Sequence, residues 1–197
     1  MNWYLEVEPS QSISQGDLFF DCPIFTVDPD SIDLSNIQAV TDLENKIETC
    51  NIIVMNQACD LEFDPVDQII AVGFQDISTC SFKGEEKTKD LNERRKLRWD
   101  HIKKIYNGIR PNYHLIGCHT GAINLNYQIV DFSSVFTIPY KILMDFRQVH
   151  GLRLRLNTPH RELLSQRFGS FFARIGLPNE DHIKEIDLHK VVKSFGE

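Results

Sequence analysis

Residues 50–62 read CNIIVMNQACDLE, and the run Ile52-Ile53-Val54-Met55 within them decides the predicted fold. This run is short, β-branched and apolar on both faces, which is typical of a central strand that is buried in a sheet. Residues 68–74, QIIAVGF, have the same character, and the acidic residues 61–67 connect the two runs. We therefore expect two buried strands at the centre of a sheet.

Weaker strand signals lie on both sides of this centre. The predicted strands are residues 18–27, 113–119, 127–138 and 152–156. A Gly16-Asp17 turn opens the first of them, and Pro23 within it indicates an edge position or a bulge. Ser133-Ser134 marks an irregularity in the third, and LRLRL in the last predicts a strand with one basic face. Residues 28–49 are polar and acidic without a period, which predicts a long loop.

Residues 85–107 contain no glycine or proline and predict one long, basic helix inserted between strands. Apolar side chains recur in it at three- and four-residue spacing, which predicts a face that packs inward. The members of this face are Trp99, Ile102, Ile105 and Tyr106. Gly108 follows at the position of a C-terminal cap. Pro139 is expected to open a second, short helix.

The C-terminal part, residues 158–197, is predicted to be helical. Thr158 is a candidate cap and Pro159 suits the first helical position, and an apolar stripe at helical spacing follows them. Residues 176–178, GLP, are expected to end this helix. Residues 179–197 predict a weaker helical tail.

About six short strands with two substantial helices, and no strict alternation of strand and helix, predict an α+β fold. We expect one domain over residues 1–197, built on a small, strongly bent, SH3-like β-barrel. Its strands would lie mainly in residues 15–80 and 112–157. The basic helix 85–107 would be an insertion, and residues 158–197 would add a C-terminal helical part.

The charge is distributed very unevenly along the chain. The net charge of the 197 residues is −7, but residues 1–82 alone carry −14, with Lys46 as their single base. Residues 83–110 carry +5 and residues 111–197 carry +2. The two signs either attract each other within one fold or serve different partners, and the two-signed surface favours a protein partner over bare nucleic acid.

The composition excludes several classes of protein. It is close to the globular average, so neither disorder nor a fibrous repeat is expected. No apolar run approaches the ~20 residues of a membrane span, and the N-terminal residues are acidic where a signal peptide is basic. Five cysteines without a disulfide-like spacing indicate reduced thiols. We therefore expect a cytoplasmic protein that does not enter a membrane.

Three stretches carry a family resemblance: residues 16–19 (GDLF), 57–61 (QACDL) and 161–178 (RELLSQRFGSFFARIGLP). Their order resembles an uncharacterised family of bacterial and phage-associated proteins with the pattern GD(I/L)F, QxCDL and RExLxQ followed by FFxRxGLP. The resemblance covers most of the chain. It implies a bacterial or phage setting and little about chemistry, because no secure activity is known to us for that family.

Gly16, Asp17 and the strand at 52–55 also resemble the start of the MazF/PemK-type barrels, which are ribonucleases. This fainter resemblance implies a barrel shape. For a cleaving enzyme of that type it places a site near Asp17 and the residues that follow the strand, namely Asn56, Gln57, Cys59 and Asp60.

The candidate catalytic residues are Gln57, Cys59, Asp60 and His119. Cys59 and Asp60 follow a buried strand, where a turn exposes functional groups, and a nucleophilic cysteine needs a histidine nearby. The alternative is that Cys59 fills a buried niche and Asp60 caps the turn. Neither CxxC nor HExxH spacing is present, nor any nucleotide-binding motif, so no metal site and no cofactor are expected.

The candidate binding residues form two basic groups. The first lies on the predicted helix 85–107 and comprises Arg94, Arg95, Lys96, Arg98, Lys103 and Lys104. The second lies near the final long helix and comprises Arg153, Arg155 and Arg161. These residues suit contacts with phosphate or with a partner's carboxylates. A solvated helix face, or ion pairs with the acidic part of the same chain, explains them as well.

The predicted function is that of a binding or adaptor module in a cytoplasmic bacterial or phage multi-protein system, of a defence or toxin–antitoxin-like type. Two alternatives stay open. One is a MazF-like barrel nuclease that cleaves RNA or DNA, and the other is a nucleic-acid-binding protein that uses the helix 85–107. A protein partner is expected, nucleic acid is an open alternative, and the sequence predicts no oligomeric state.

Overall fold

The structure, a computed structural model, describes residues 2–27, 45–63, 66–82 and 85–173, and within these ranges it has seven strands and four α-helices. The strands are β1 (Tyr4–Val7), β2 (Asp17–Val27), β3 (Asn45–Val54), β4 (Gln68–Asp76), β5 (Tyr113–Ile116), β6 (Gln128–Pro139) and β7 (Arg153–Leu156). The helices are α1 (Ala58–Phe63), α2 (Leu91–Tyr106), α3 (Tyr140–His150) and α4 (His160–Phe172). A 3-10 turn at Glu85–Lys87 precedes α2.

All seven strands belong to one antiparallel sheet with the order β1-β7-β2-β3-β4-β6-β5. The two apolar runs of the sequence form β3 and β4, which are neighbours at its centre. Ile52 and Val54 pack into a hydrophobic cluster on one face and Ile53 into a cluster on the other. Both faces of the central strand are therefore buried, as its sequence predicts, and the α+β class is confirmed.

The sheet bends at two irregularities. In β2 the register shifts between Phe19 and Cys22, where Asp21 adopts a left-handed φ of 49°. In β6 the residues around Ser133-Ser134 are extra, because Gly73 pairs with Asp131 while Val72 pairs with Val135. Bulges of this kind increase the local twist and bend a strand. The irregularity predicted in β6 is confirmed.

The predicted SH3-like barrel is not confirmed, because the backbones of the two edge strands, β1 and β5, do not pair with each other in the described part of the chain. Side chains join these two ends instead. The Tyr4 hydroxyl donates to the carbonyl oxygen of Gly117 at 2.7 Å, and a Glu6 carboxylate oxygen accepts from the Ala122 N–H at 2.7 Å. Each edge strand has four residues, and each pairs along its whole length with its one neighbour in the sheet.

Helices cover both faces of the bent sheet. The cluster on one face includes Leu164 of α4, against which Phe168 and Phe171 of the same helix also pack. The cluster on the other face includes Leu143 of α3, and a third, smaller cluster lies under Ile105 of α2. No helix in the described ranges is long and apolar enough to span a membrane.

The basic helix α2 is shorter than predicted and turns a different face inward. It begins after Asp90, whose carboxylate accepts the Glu93 N–H at 2.8 Å, and it ends before Gly108, which has a φ of 71°. Ile105 is buried as predicted. Trp99 and Tyr106 were expected to pack inward with it, but their side chains are 62% and 73% exposed. The predicted inward face is therefore wrong for both aromatic residues.

Some predicted boundaries also change. Residues 45–49, expected in a loop, belong to β3, and the rest of that predicted loop, residues 28–44, lies outside the described residues. Helix α3 follows Pro139 as predicted. Helix α4 begins at His160 without a side-chain cap, since Thr158 instead donates to Glu162 at 3.1 Å. The predicted helix end at 176–178 and the tail at 179–197 lie outside the described residues.

Candidate functional site

The residues of the QACDL motif lie together on the surface just after β3. Cys59 is exposed at the start of α1, and its Sγ lies 3.7 Å from Gln57 Oε1 and 3.4 Å from Asp60 Oδ1. Asn56 is used structurally, because its side-chain oxygen accepts the Ile70 N–H at 2.7 Å. Cys59 therefore does not fill a buried niche.

His119, the fourth candidate catalytic residue, lies just after β5, beside Tyr4 of β1, with their ring centroids 5.6 Å apart. The hydrogen bonds of the Cys59 thiol are with Gln57 and Asp60. His119 contacts Glu6 instead, at 3.1 Å, and this hydrogen bond lowers the pKa of the Glu6 carboxyl.

The QACDL residues thus lack the histidine that was predicted to hold Cys59 as a thiolate. No group of three or more histidine, cysteine, aspartate or glutamate side chains in the described ranges is arranged to hold a metal ion. The catalytic roles of Gln57, Cys59, Asp60 and His119 stay predictions.

Arg153 and Arg155 form ion pairs inside their own chain. Asp17 and Arg153 are fully buried, and Arg153 Nε donates to Asp17 Oδ2 at 2.9 Å. Arg155 binds the same carboxylate with Nε and, at 3.0 Å, with Nη2. Arg153 also donates to three backbone carbonyls, those of Glu8, Gln11 and Ser12. Burial lowers the pKa of Arg153 and the charge of Asp17 opposes that shift. This cluster fixes the GDLF turn to β7.

Three more of the predicted binding residues have partners close by. Arg98 makes a bidentate contact with buried Glu85 at 2.8 and 3.1 Å, and this hydrogen bonding lowers the pKa of the glutamate. Arg94 donates to the carbonyl oxygen of Thr88 at 2.7 Å. Arg161 pairs with Glu162 at 2.6 Å. Arg98 therefore ties α2 to the turn before it.

Four cations of α2 stay exposed with neither a carboxylate partner nor a hydrogen-bonded carbonyl in the part of the chain that the structure describes. They are Arg95, Lys96, Lys103 and Lys104. All four belong to the first of the two predicted basic groups, and their charges are available to a partner.

Exposed aromatic side chains stand next to these cations and line a cleft of about 400 Å³, which we name the α2 cleft. Trp99 and Tyr106 of α2 form one wall, and Tyr127, 48% exposed, faces them from the segment before β6. Its remaining lining is mostly aliphatic and comprises Ile77, Ile102 and Leu115 with the stem of Lys103 and Asn107. The helical period of the sequence missed this feature because it assigned Trp99 and Tyr106 to the core.

A second pocket of about 250 Å³, which we name the His114 pocket, shares Tyr106, Leu115 and Tyr127 with the α2 cleft. Its basic side chains are His114 on β5 and Arg167 on α4. His114 is only 5% exposed and its Nε2 has no hydrogen-bond partner. Burial, helped by the charge of Arg167, lowers the pKa of His114 to about 4, so the imidazole is neutral at neutral pH.

No protein-family model matches this chain, and no curated protein matches it either. The resemblance to bacterial and phage-associated proteins therefore stays a prediction. The α2 cleft and the His114 pocket lie side by side, and both are open to a ligand or partner beside a basic side chain.

Proposed function

We propose that this protein is a binding module that takes up an acidic segment of a partner protein in the α2 cleft. The observation that carries the proposal is the exposure of Trp99 and Tyr106 on a helix that is otherwise fixed to the fold. Solvent-exposed tryptophan and tyrosine beside a concave apolar wall are the side chains that dominate the energy of protein interfaces. A large apolar patch left open on a soluble protein marks an interaction site.

Covering these two side chains favours binding. An aromatic side chain buries about 150–250 Å² on full coverage. At about 25 cal/mol per Å² of apolar surface, covering what Trp99 and Tyr106 still expose yields a few kcal/mol. Arg98 and Ile105 hold the helix in place, so the partner loses little to ordering of this surface.

Charge selects the partner. Lys103 lines the cleft, and Arg95, Lys96 and Lys104 lie on the same helix without a carboxylate partner among the described residues. An acidic segment satisfies these cations at short range. A bare nucleic acid would also meet them, but the net charge of −7 repels a polyanion that extends beyond this one helix. A short acidic peptide avoids that repulsion.

The setting that we propose is a multi-protein assembly in the cytoplasm of a bacterium or of a phage-infected cell, of a defence or toxin–antitoxin-like type. The three motifs that resemble bacterial and phage-associated proteins support this setting. An adaptor role agrees with the absence of a convergent catalytic group in the described residues, where Cys59 bonds Gln57 and Asp60 while His119 bonds Glu6.

Selection from a library of 12-residue peptides displayed on phage, with the full chain as bait, tests the proposal. We expect enriched sequences rich in Asp and Glu with one or two aromatic or leucine anchors. Synthetic copies should lose at least about tenfold in affinity when Trp99→Ala or Tyr106→Ala is introduced, the loss of one interface hot spot. Leu91→Ala, at an exposed position of the same helix away from the cleft, is the matched control and should change affinity little.

Four results would overturn the proposal. One is an enrichment of basic or sequence-random peptides, and another is binding that Trp99→Ala and Tyr106→Ala leave unchanged. The third is tight, salt-dependent binding of a 20-nucleotide single strand that the same two variants abolish, which would assign the cleft to base stacking and nucleic acid. Concentration-dependent dimers that Trp99→Ala dissolves would likewise replace the acidic partner by a second copy of the chain.

A further inference from the structure

We infer that the His114 pocket binds a small aromatic carboxylate. The pocket lies between β5, the end of α2 and the middle of α4, and its volume is about 250 Å³. An apolar cavity of about 150 Å³ suffices for one benzene ring, so this pocket has room for one or two fused rings with a carboxylate. Its walls are mainly carbon, supplied by Trp3, Ile105, Ile116 and Leu163 together with the aromatic residues shared with the α2 cleft.

The buried imidazole of His114 indicates that a ligand completes this pocket. His114 stacks against Phe132 with ring centroids 6.3 Å apart, and only 5% of its surface is exposed. Its Nε2 meets no hydrogen-bond partner. A buried polar atom without a partner costs about 1–3 kcal/mol, and such atoms are rare in native proteins. A ligand oxygen or nitrogen in the pocket removes this cost.

Arg167 sets the charge of the ligand. It lines the same pocket from α4. Its guanidinium also lies next to Gly108, since its nitrogens are 3.6 Å from the position that a Cβ would take on that glycine. Within the described ranges no carboxylate pairs with Arg167, and its positive charge is close enough to oppose protonation of His114. A planar guanidinium binds a carboxylate with two parallel hydrogen bonds, which a half-buried apolar setting strengthens.

The two polar groups and the carbon walls together define the ligand class. The carboxylate meets Arg167, a second oxygen or nitrogen of the ligand meets His114, and the ring face lies against the aliphatic and aromatic walls. A dianionic phosphate fits less well, because the pocket offers one guanidinium and a neutral imidazole. A purely apolar compound leaves His114 Nε2 without a partner.

Titration calorimetry on the full chain, without any peptide partner, tests the inference with matched ligand pairs. The probes are 6-hydroxy-2-naphthoate and indole-3-carboxylate, each against its neutral amide, and phenyl phosphate. We expect both carboxylates to bind at least about tenfold more tightly than their amides and than phenyl phosphate, because a charge-assisted pair contributes about 1.5–3 kcal/mol. This comparison needs no variant, and it is independent of whether the α2 cleft binds a peptide.

Two variants assign the binding to named side chains. Arg167→Met keeps the length of the side chain and should remove the preference for carboxylate over amide, and His114→Leu should weaken both ligands. Arg110→Met is the matched control, since Arg110 is half-buried and contacts His101 at 3.0 Å outside the pocket. Failure of every probe to bind below about 1 mM, equal affinity for carboxylates and amides, or an equal loss in Arg110→Met would overturn the inference.

Discussion

Asp17 is the residue on which the first turn of the fold depends. Its carboxylate is fully buried and accepts from two arginines and, at 3.0 Å, from the Ser14 N–H. Asp17→Asn leaves Arg153 charged and buried without a counter-charge. Removing one partner of a buried ion pair typically costs 3–5 kcal/mol of stability, and we expect a loss of about that size here. Urea unfolding of the variant measures the loss.

Asp21→Asn is the control for this substitution, because Asp21 is exposed in the same strand and asparagine tolerates its left-handed backbone. We expect it to change the free energy of unfolding by less than about 0.5 kcal/mol. An equally small effect of Asp17→Asn would show that the Asp17–Arg153 pair is not needed for folding.

His114 gives the stability of the protein a pH dependence of known sign. Its pKa is about 4 in the folded chain, below its ordinary value of 6.5. As the pH falls from 6.5, the unfolded chain binds a proton at this residue and the folded chain does not, so the free energy of unfolding decreases. Between pH 6.5 and 5 the decrease amounts to about 2 kcal/mol at most.

Unfolding of His114→Leu measured over the same pH window should show a shallower slope than the parent chain. Some slope should persist, because burial also lowers the pKa of His150 and His160. The carboxylates with lowered pKa, such as Glu85, contribute mainly below their ordinary value of about 4.5, outside this window. An unchanged slope in His114→Leu would contradict the assigned burial of the imidazole.

Arg153 and Arg155 show which contacts of single residues can be predicted from the sequence and which cannot. Alternation along LRLRL predicts that Arg153 and Arg155 share a face, and both do bind Asp17. Residues 17 and 153 are far apart in the sequence, so no local pattern indicates that they meet. The choice between an ion pair inside the chain and a contact with a partner therefore depends on the tertiary fold.

At the scale of elements, Arg98 holds α2 in position. It joins the helix to Glu85 and to the backbone carbonyls of Ser78 and Cys80, each at 3.1 Å. Arg98→Met leaves Glu85 with a buried, unpaired charge. Because Arg98 itself is about one third exposed, we expect a loss of only about 1–3 kcal/mol. Amide hydrogen exchange should quicken across α2 more than in the central strands.

Arg95→Met tests whether any loss of an α2 cation has this effect. Arg95 is exposed on the same helix, and we expect the exchange rates and the free energy of unfolding to stay close to those of the parent chain. Equal exchange in α2 for Arg95→Met and Arg98→Met would argue against the tether.

The elements that the sequence predicts best are those with an uninterrupted apolar run or a proline at their boundary. Strands β3 and β4 follow from uninterrupted β-branched runs, and α3 follows from Pro139. The inward face of α2 could not be predicted correctly, because Trp99 and Tyr106 fit the helical spacing of a core face whether or not the core covers them. Only the placement of β5 and Tyr127 opposite the helix shows that an open cleft lies there.

At the scale of the whole molecule, the sheet curves until its two ends meet through side chains. The bulges in β2 and β6 follow from signals in the sequence, but the absence of backbone pairing between β1 and β5 does not. Tyr4 and Gly117 are 113 positions apart, and nothing local to either residue shows that they touch. The strand count favours a barrel, but in the described residues side chains rather than a backbone ladder join the two ends.

Tyr4 is therefore expected to couple the two ends of the sheet. Burial raises the pKa of its hydroxyl, which keeps the proton that it donates to the Gly117 carbonyl at 2.7 Å. Tyr4→Phe preserves the packing of the ring in the core and leaves that carbonyl without its donor, at a cost of about 1–2 kcal/mol. Amide exchange should quicken together in β1 and in the residues after β5, although they lie at opposite ends of the strand order.

Tyr140→Phe is the appropriate comparison for Tyr4→Phe. Tyr140 is half-buried at the start of α3, and it packs against the hydrophobic cluster on the other face of the sheet. We expect it to leave the exchange of both sheet ends unchanged. If Tyr4→Phe quickened exchange in β1 alone, the two ends would be independent. Faster exchange at both ends would instead show that the Tyr4 hydroxyl couples the opening of the two ends of the sheet. In a closed barrel, backbone hydrogen bonds between strands would provide this coupling.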